Sequence, residues 1–128
     1  MKVKFQIKNQ YDKYLDKLFK KITNNLYIWR VDYDEVFRRD CSFLFNKSEY
    51  NDIEFHEIIE QEDYYIVQLQ LQLFDDNKLF LEMKVIDNIF VEIDVYDKSL
   101  LTYIRASVND VKGCSKNSNE YERYFENK

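Results

Sequence analysis

The stretch HEIIE, His56 to Glu60, comes nearest to catalytic or metal-binding chemistry in this chain. On a helix His56 and Glu60 share a face, so a cation could bridge imidazole and carboxylate. A zinc site of the HExxH type needs a second histidine at the fourth place after the first, and the chain has one histidine. The expected state is a solvent-facing histidine among carboxylates, with Ile58 and Ile59 anchoring the turn. A second candidate is DYDE, Asp32 to Glu35, followed by Asp40. Clustered carboxylates suit calcium or magnesium, but a calcium loop wants an internal glycine and a distal bidentate glutamate, which are missing here. As general acids and bases these carboxylates would need a pocket to shift their pKa values. Cys41 beside His56 would make a thiol–imidazole couple, yet the apolar run CSFLF around it reads as the setting of a buried, inert thiol. Gly113 is the lone glycine, which excludes Walker, GxGxxG and GxSxG turns. No catalytic, cofactor-binding or metal-binding residue is assigned, and the chain reads as a non-enzyme more readily than as an enzyme.

The composition turns attention to surfaces. With 19 basic and 24 acidic side chains the formal charge is −5, which opposes nucleic-acid phosphate and steers basic proteins inward. The expectation is a protein partner of basic character, with no nucleic acid and no membrane. Eleven tyrosines, ten phenylalanines and one tryptophan exceed what an ordinary core of this size requires. Tyrosine offers rigid contact area at low entropic cost, so tyrosines and acids near loops or strand ends mark an interface. The residues so marked are Asp32, Tyr33, Asp34, Glu35, Tyr50, Tyr64 and Tyr96.

Those residues need elements to hold them. An apolar fraction of 45% over 128 residues supports a folded single domain, residues 1–128, with a polar tail from about residue 114. Val3, Phe5 and Ile7 alternate as a strand. Asn9 reads as an N-cap, and Tyr11, Tyr14, Leu15, Leu18, Phe19 and Ile22 make one stripe of a helix over 10–23. YIWRV, residues 27–31, is a strand; 35–38 and 42–45 read as short extended pieces around a turn; 55–61 reads as one or two helical turns. Strands over 64–74, 79–86 and 90–96 form a meander. Asp97 caps a helix over 98–111, and Gly113 stands where a left-handed C-cap belongs. The fold class expected is α+β: an antiparallel sheet with the 64–96 meander at its centre, packed on one face by the 10–23 and 98–111 helices.

Within the meander QLQLQL, residues 68–73, alternates leucine with amide, so the leucines face a core and Gln68, Gln70 and Gln72 face water. A three-residue loop at Asp75-Asp76-Asn77 would pair Leu73 with Leu79, Leu71 with Leu81 and Leu69 with Met83. A three-residue loop at Asp87-Asn88-Ile89 pairs Val85 with Val91, Met83 with Ile93 and Leu81 with Val95, matching core with core. The glutamines then form the neutral middle of a wet face, with Gln70 beside Glu82 relieving the repulsion between Glu82 and Asp94. Ile66, Ile86 and Phe90 make an apolar patch at the end of that face and join the interface candidates.

The order of features also resembles a known family. The helix YDKYLDKLFKKI, the strand YIWRV, the strand DYYIV and the run VIDNIFVEIDVYDKSLLTYI are similar to those of small bacterial proteins known only as a domain of unknown function, over roughly residues 1–104. The resemblance implies an α+β fold and brings no catalytic residues. After the last helix this chain departs from the family pattern, in which a further acidic-and-arginine strand follows. MKVKFQIKNQ lacks the apolar stretch of a signal peptide, and Cys41 and Cys114 form no CxxC pair, so a cytoplasmic protein is expected. The function expected is a small acidic protein-binding module, most concretely an immunity-type or inhibitor protein. The alternatives are a small enzyme using His56 and nearby carboxylates, or a self-associating structural protein.

Overall fold

The structure is a computed structural model that describes residues 1–7, 14–61, 64–87 and 89–112. Strand β1 (Lys2–Gln6) buries Val3 and Phe5 and leaves its lysines outward. Helix α1 (Tyr14–Phe19) buries Tyr14, Leu15, Leu18 and Phe19; the start of the expected helix, with its Asn9 cap, lies outside the described residues. Strand β2 (Tyr27–Arg38) joins the aromatic strand and the first short extended piece into one long element. The second piece is no strand: it meets β2 in an isolated bridge between Phe37 and Phe43. Strand β3 (Glu49–Asn51), which the polar 46–62 segment did not suggest, leads directly into helix α2 (Asp52–Ile59). Strands β4 (Tyr64–Asp75), β5 (Lys78–Ile86) and β6 (Phe90–Val95) follow, then helix α3 (Lys98–Lys112).

Helix α2 starts earlier than apolar spacing placed it because Asn51 and Glu54 form a capping box. Glu54 N donates to Asn51 Oδ1 at 2.9 Å, and Asn51 N donates to Glu54 Oε1 at 3.1 Å. At α3 the cap is Asp97, as expected: Leu100 N donates to its Oδ2 at 3.2 Å, and the Ser99 hydroxyl donates to the same oxygen. Gly113 and the tail lie outside the described residues. No helix among the described residues is long and apolar enough to cross a membrane.

The six strands form one antiparallel sheet in the order β1-β6-β5-β4-β2-β3. With three helices this is an α+β fold. Leu69, Leu71, Leu73, Leu81, Met83, Val85, Val91, Ile93 and Val95 share one hydrophobic cluster with the inward residues of all three helices. The glutamine face is opposite, and among the described residues no helix covers it. That arrangement follows from period-two alternation: once one face carries a continuous apolar surface, the helices bury themselves there.

The registers divide instructively. Between β5 and β6 the pairs are Val85↔Val91, Met83↔Ile93 and Leu81↔Val95, as hydrophobic matching requires. Between β4 and β5 the expected pairing is displaced by two residues: Leu73 faces Leu81, Leu71 faces Met83 and Leu69 faces Val85. Two devices cause this. The turn is Asp76-Asn77 alone, both residues at positive φ (49° and 65°), the requirement of a type I′ hairpin. A bulge then sets Phe74 opposite Leu79 and leaves Phe80 extra on β5. A two-residue displacement leaves every side chain on its own face, so alternation cannot distinguish the two registers.

Two further bulges separate β2 from β4. Asp32 is extra on β2, between Val31↔Leu71 and Tyr33↔Gln70; Val67 is extra on β4, between Glu35↔Gln68 and Val36↔Ile66. From Asp32 onward the phase of β2 is inverted. Tyr33 and Glu35 therefore stand on the open face, and Asp34 is turned to the core side opposite Leu69. Beyond Val67 the phase of β4 is inverted as well, which carries Ile66 and Tyr64 inward.

Candidate functional site

The side chains with the most chemistry converge on Asp52, a carboxylate only 4% exposed at the start of α2. Trp29 Nε1 donates to its Oδ1 at 2.8 Å, and Asn24 N donates to Oδ2 at 3.1 Å. The Thr23 hydroxyl also donates to Oδ2. His56, one helical turn on, places Nε2 3.3 Å from Oδ1 and 2.9 Å from the carbonyl oxygen of Ile22. Since a carbonyl only accepts, Nε2 carries a proton and points it at both oxygens. His56 is thus half-buried against Asp52 and Ile22, rather than solvent-facing. Trp29 lies flat on Phe55, ring centroids 4.1 Å apart at 5°, and Phe19 packs against both. Asp52 therefore fastens the α1–β2 connection to α2 and orients the indole; its lone pairs are spent on donors within the fold. The capping pattern Asn51-x-x-Glu54 was the signal that would have placed Asp52 in the first helical turn.

The DYDE carboxylates do not converge. Asp32 forms an ion pair with Arg30 Nε at 3.0 Å, and Glu35 accepts from the Tyr33 hydroxyl at 2.8 Å. Asp34 looks the other way, its Oδ2 buried without a hydrogen-bond partner, and burial raises its pKa from its ordinary value. Among the described residues no three His, Cys, Asp or Glu side chains gather as a metal ion would require. Cys41 is exposed, not buried as CSFLF suggested, because a turn at φ 69° lifts it off the sheet end.

The open sheet face carries the remaining candidates. One row crosses all six strands: Lys2, Asp94, Glu82, Gln72, Arg30 and Glu49 stand side by side. The like-charged neighbours Glu82 and Asp94 are eased by Lys2 beyond Asp94 and by Gln72, whose Nε2 donates to Glu82 Oε2 at 3.1 Å. The easing amide is thus Gln72 rather than Gln70, a direct result of the displaced β4–β5 register. Tyr96 donates to Glu82 Oε1 at 2.9 Å, and this hydrogen bond pushes its phenol up to about 12. In the next row Lys4 pairs with Glu92 at 3.5 Å.

Of the expected interface residues, Asp32, Tyr33, Ile86, Phe90 and Tyr96 are exposed, and Glu35 is partly so. Tyr33, Glu35, Ile86 and Phe90 share the open face. Three expectations are corrected. Tyr50 and Tyr64 are 2% and 1% exposed, because each hydroxyl fastens backbone. Tyr50 accepts from Asn46 N at 2.8 Å and Lys47 N at 2.7 Å, and Tyr64 donates to the Ile59 carbonyl at 2.7 Å. Ile66 is 1% exposed because the Val67 bulge turns it into the core opposite Val36.

Two shallow grooves interrupt the face. One, of about 330 Å³, is lined on this face by Ile86 and Phe90 with Lys4 and Glu92 at its side. The other, of about 190 Å³, is lined by Ile28 and Phe74 with Arg30, Glu49 and Asn77. The second was missed, although Ile28 sits out of phase with Tyr27, Trp29 and Val31 and so had to face away from the core.

No curated protein and no solved structure shows significant similarity to this chain. Residues 1–123 match a family described as a protein of unknown function (DUF2691). The match takes in every described element from β1 to α3, and the chain accordingly belongs to the DUF2691 family.

Proposed function

We propose that this chain is a cytoplasmic protein-binding module that docks a partner on its open sheet face, most concretely as an immunity-type or inhibitor protein of bacterial origin that neutralises a basic partner. The observation that carries the reading is the co-location of Tyr33, Glu35, Ile86 and Phe90 on the one sheet face that no described helix covers. An apolar groove beside charged rows has the make-up of an interface centre with a polar rim. The formal charge of −5 and the acids Asp32 and Glu35 beside Tyr33 favour a basic partner through steering. The enzyme alternative draws no support from His56, which is engaged by Asp52 and the Ile22 carbonyl.

The test is affinity capture from the source cells with wild type and with a Tyr33→Ala, Ile86→Lys double variant, followed by titration calorimetry on the captured protein. The reading expects one basic protein held by wild type and bound at least about tenfold more weakly by the variant. Equal binding by both proteins, or capture of nothing by wild type, overturns it.

A further inference from the structure

We draw no further inference here: the strongest candidate, the exposed pair Leu26 and Ile53 on the loop and helix that Asp52 ties together, is an apolar surface patch, and nothing in the structure shows what covers it.

Discussion

Trp29 Nε1 donates to Asp52 Oδ1 at 2.8 Å across two elements that the sequence separates by 23 residues. The indole is wholly buried, so its donor has no recourse to water if the carboxylate is removed. Asp52→Ala should destabilise the fold by about 3 kcal/mol, since it strands the buried Trp29 donor and also removes the acceptor that Thr23 and Asn24 share. Asp52→Asn, which keeps one acceptor oxygen, should lose about half of that. Urea unfolding followed by fluorescence of Trp29, the single tryptophan, measures both; equal stability of wild type and Asp52→Ala would show that the carboxylate is dispensable.

Asp34 is held on the core side by the Asp32 bulge, with one oxygen buried and a raised pKa caused by burial. An acid whose folded pKa is raised binds its proton more tightly folded than unfolded. The fold is therefore favoured at pH below the unfolded value and loses that advantage as pH rises through the folded value. Asp34→Asn should be more stable than wild type at pH 7, and the gain should vanish as the pH is lowered toward about 3. Thermal melts at both pH values decide it; a gain that persists unchanged at the lower pH would mean that charge is not the cause.

Gln72 supplies a neutral donor to Glu82, which already faces Asp94. Gln72→Glu replaces that donor with a third carboxylate, and Arg30 on its other side is already engaged by Asp32. A loss of about 0.5–1 kcal/mol is expected at low salt, shrinking in 1 M salt and below about pH 4. Urea titrations across salt concentration would reveal a salt-independent loss if packing rather than charge were responsible.

The Asp76-Asn77 turn requires positive φ at both residues. Asparagine tolerates that region, glycine enters it freely, and alanine does not. Asn77→Ala should cost about 1 kcal/mol, whereas Asn77→Gly should match or exceed wild-type stability. If both variants unfold at the same denaturant concentration, the hairpin does not use this turn.

Tyr33 and Ile86 are exposed on the open face and contribute nothing to the buried cluster. Tyr33→Ala and Ile86→Lys should each leave the unfolding midpoint unchanged while weakening partner binding. Variants that unfold early would show instead that these positions support the sheet.

Much of the architecture was written locally. Alternation in β1, in β4 from Leu69 to Leu73, in β5 from Leu81 and in β6 specifies which residues face the core, because the strand period admits only two faces and one of them is uniformly apolar. The β5–β6 register followed from the same rule, since a one-residue change would have set Val91 against Lys84. The Asp97 cap was legible because a cap acts over three residues. The uncovered glutamine face was legible too, as the polar complement of the leucines.

The rest depended on choices that chain neighbours cannot make. A two-residue displacement between β4 and β5 preserves every face, so only the turn geometry and the Phe80 bulge select the neighbour of Glu82, which is Gln72. The bulges at Asp32 and Val67 each invert a phase that period-two reading assumes constant; they turn Asp34 inward and bury Ile66 and Tyr64. Tyr50 and Tyr64 resemble exposed tyrosines by position in the chain, but a hydroxyl that finds a backbone partner makes burial of the ring favourable. His56 and Asp52 had the right spacing for a pair on one helix. That the pair would be consumed by Trp29, Thr23, Asn24 and the Ile22 carbonyl was decided by packing α2 against β2, because a buried carboxylate is stable only when the fold brings its donors to it.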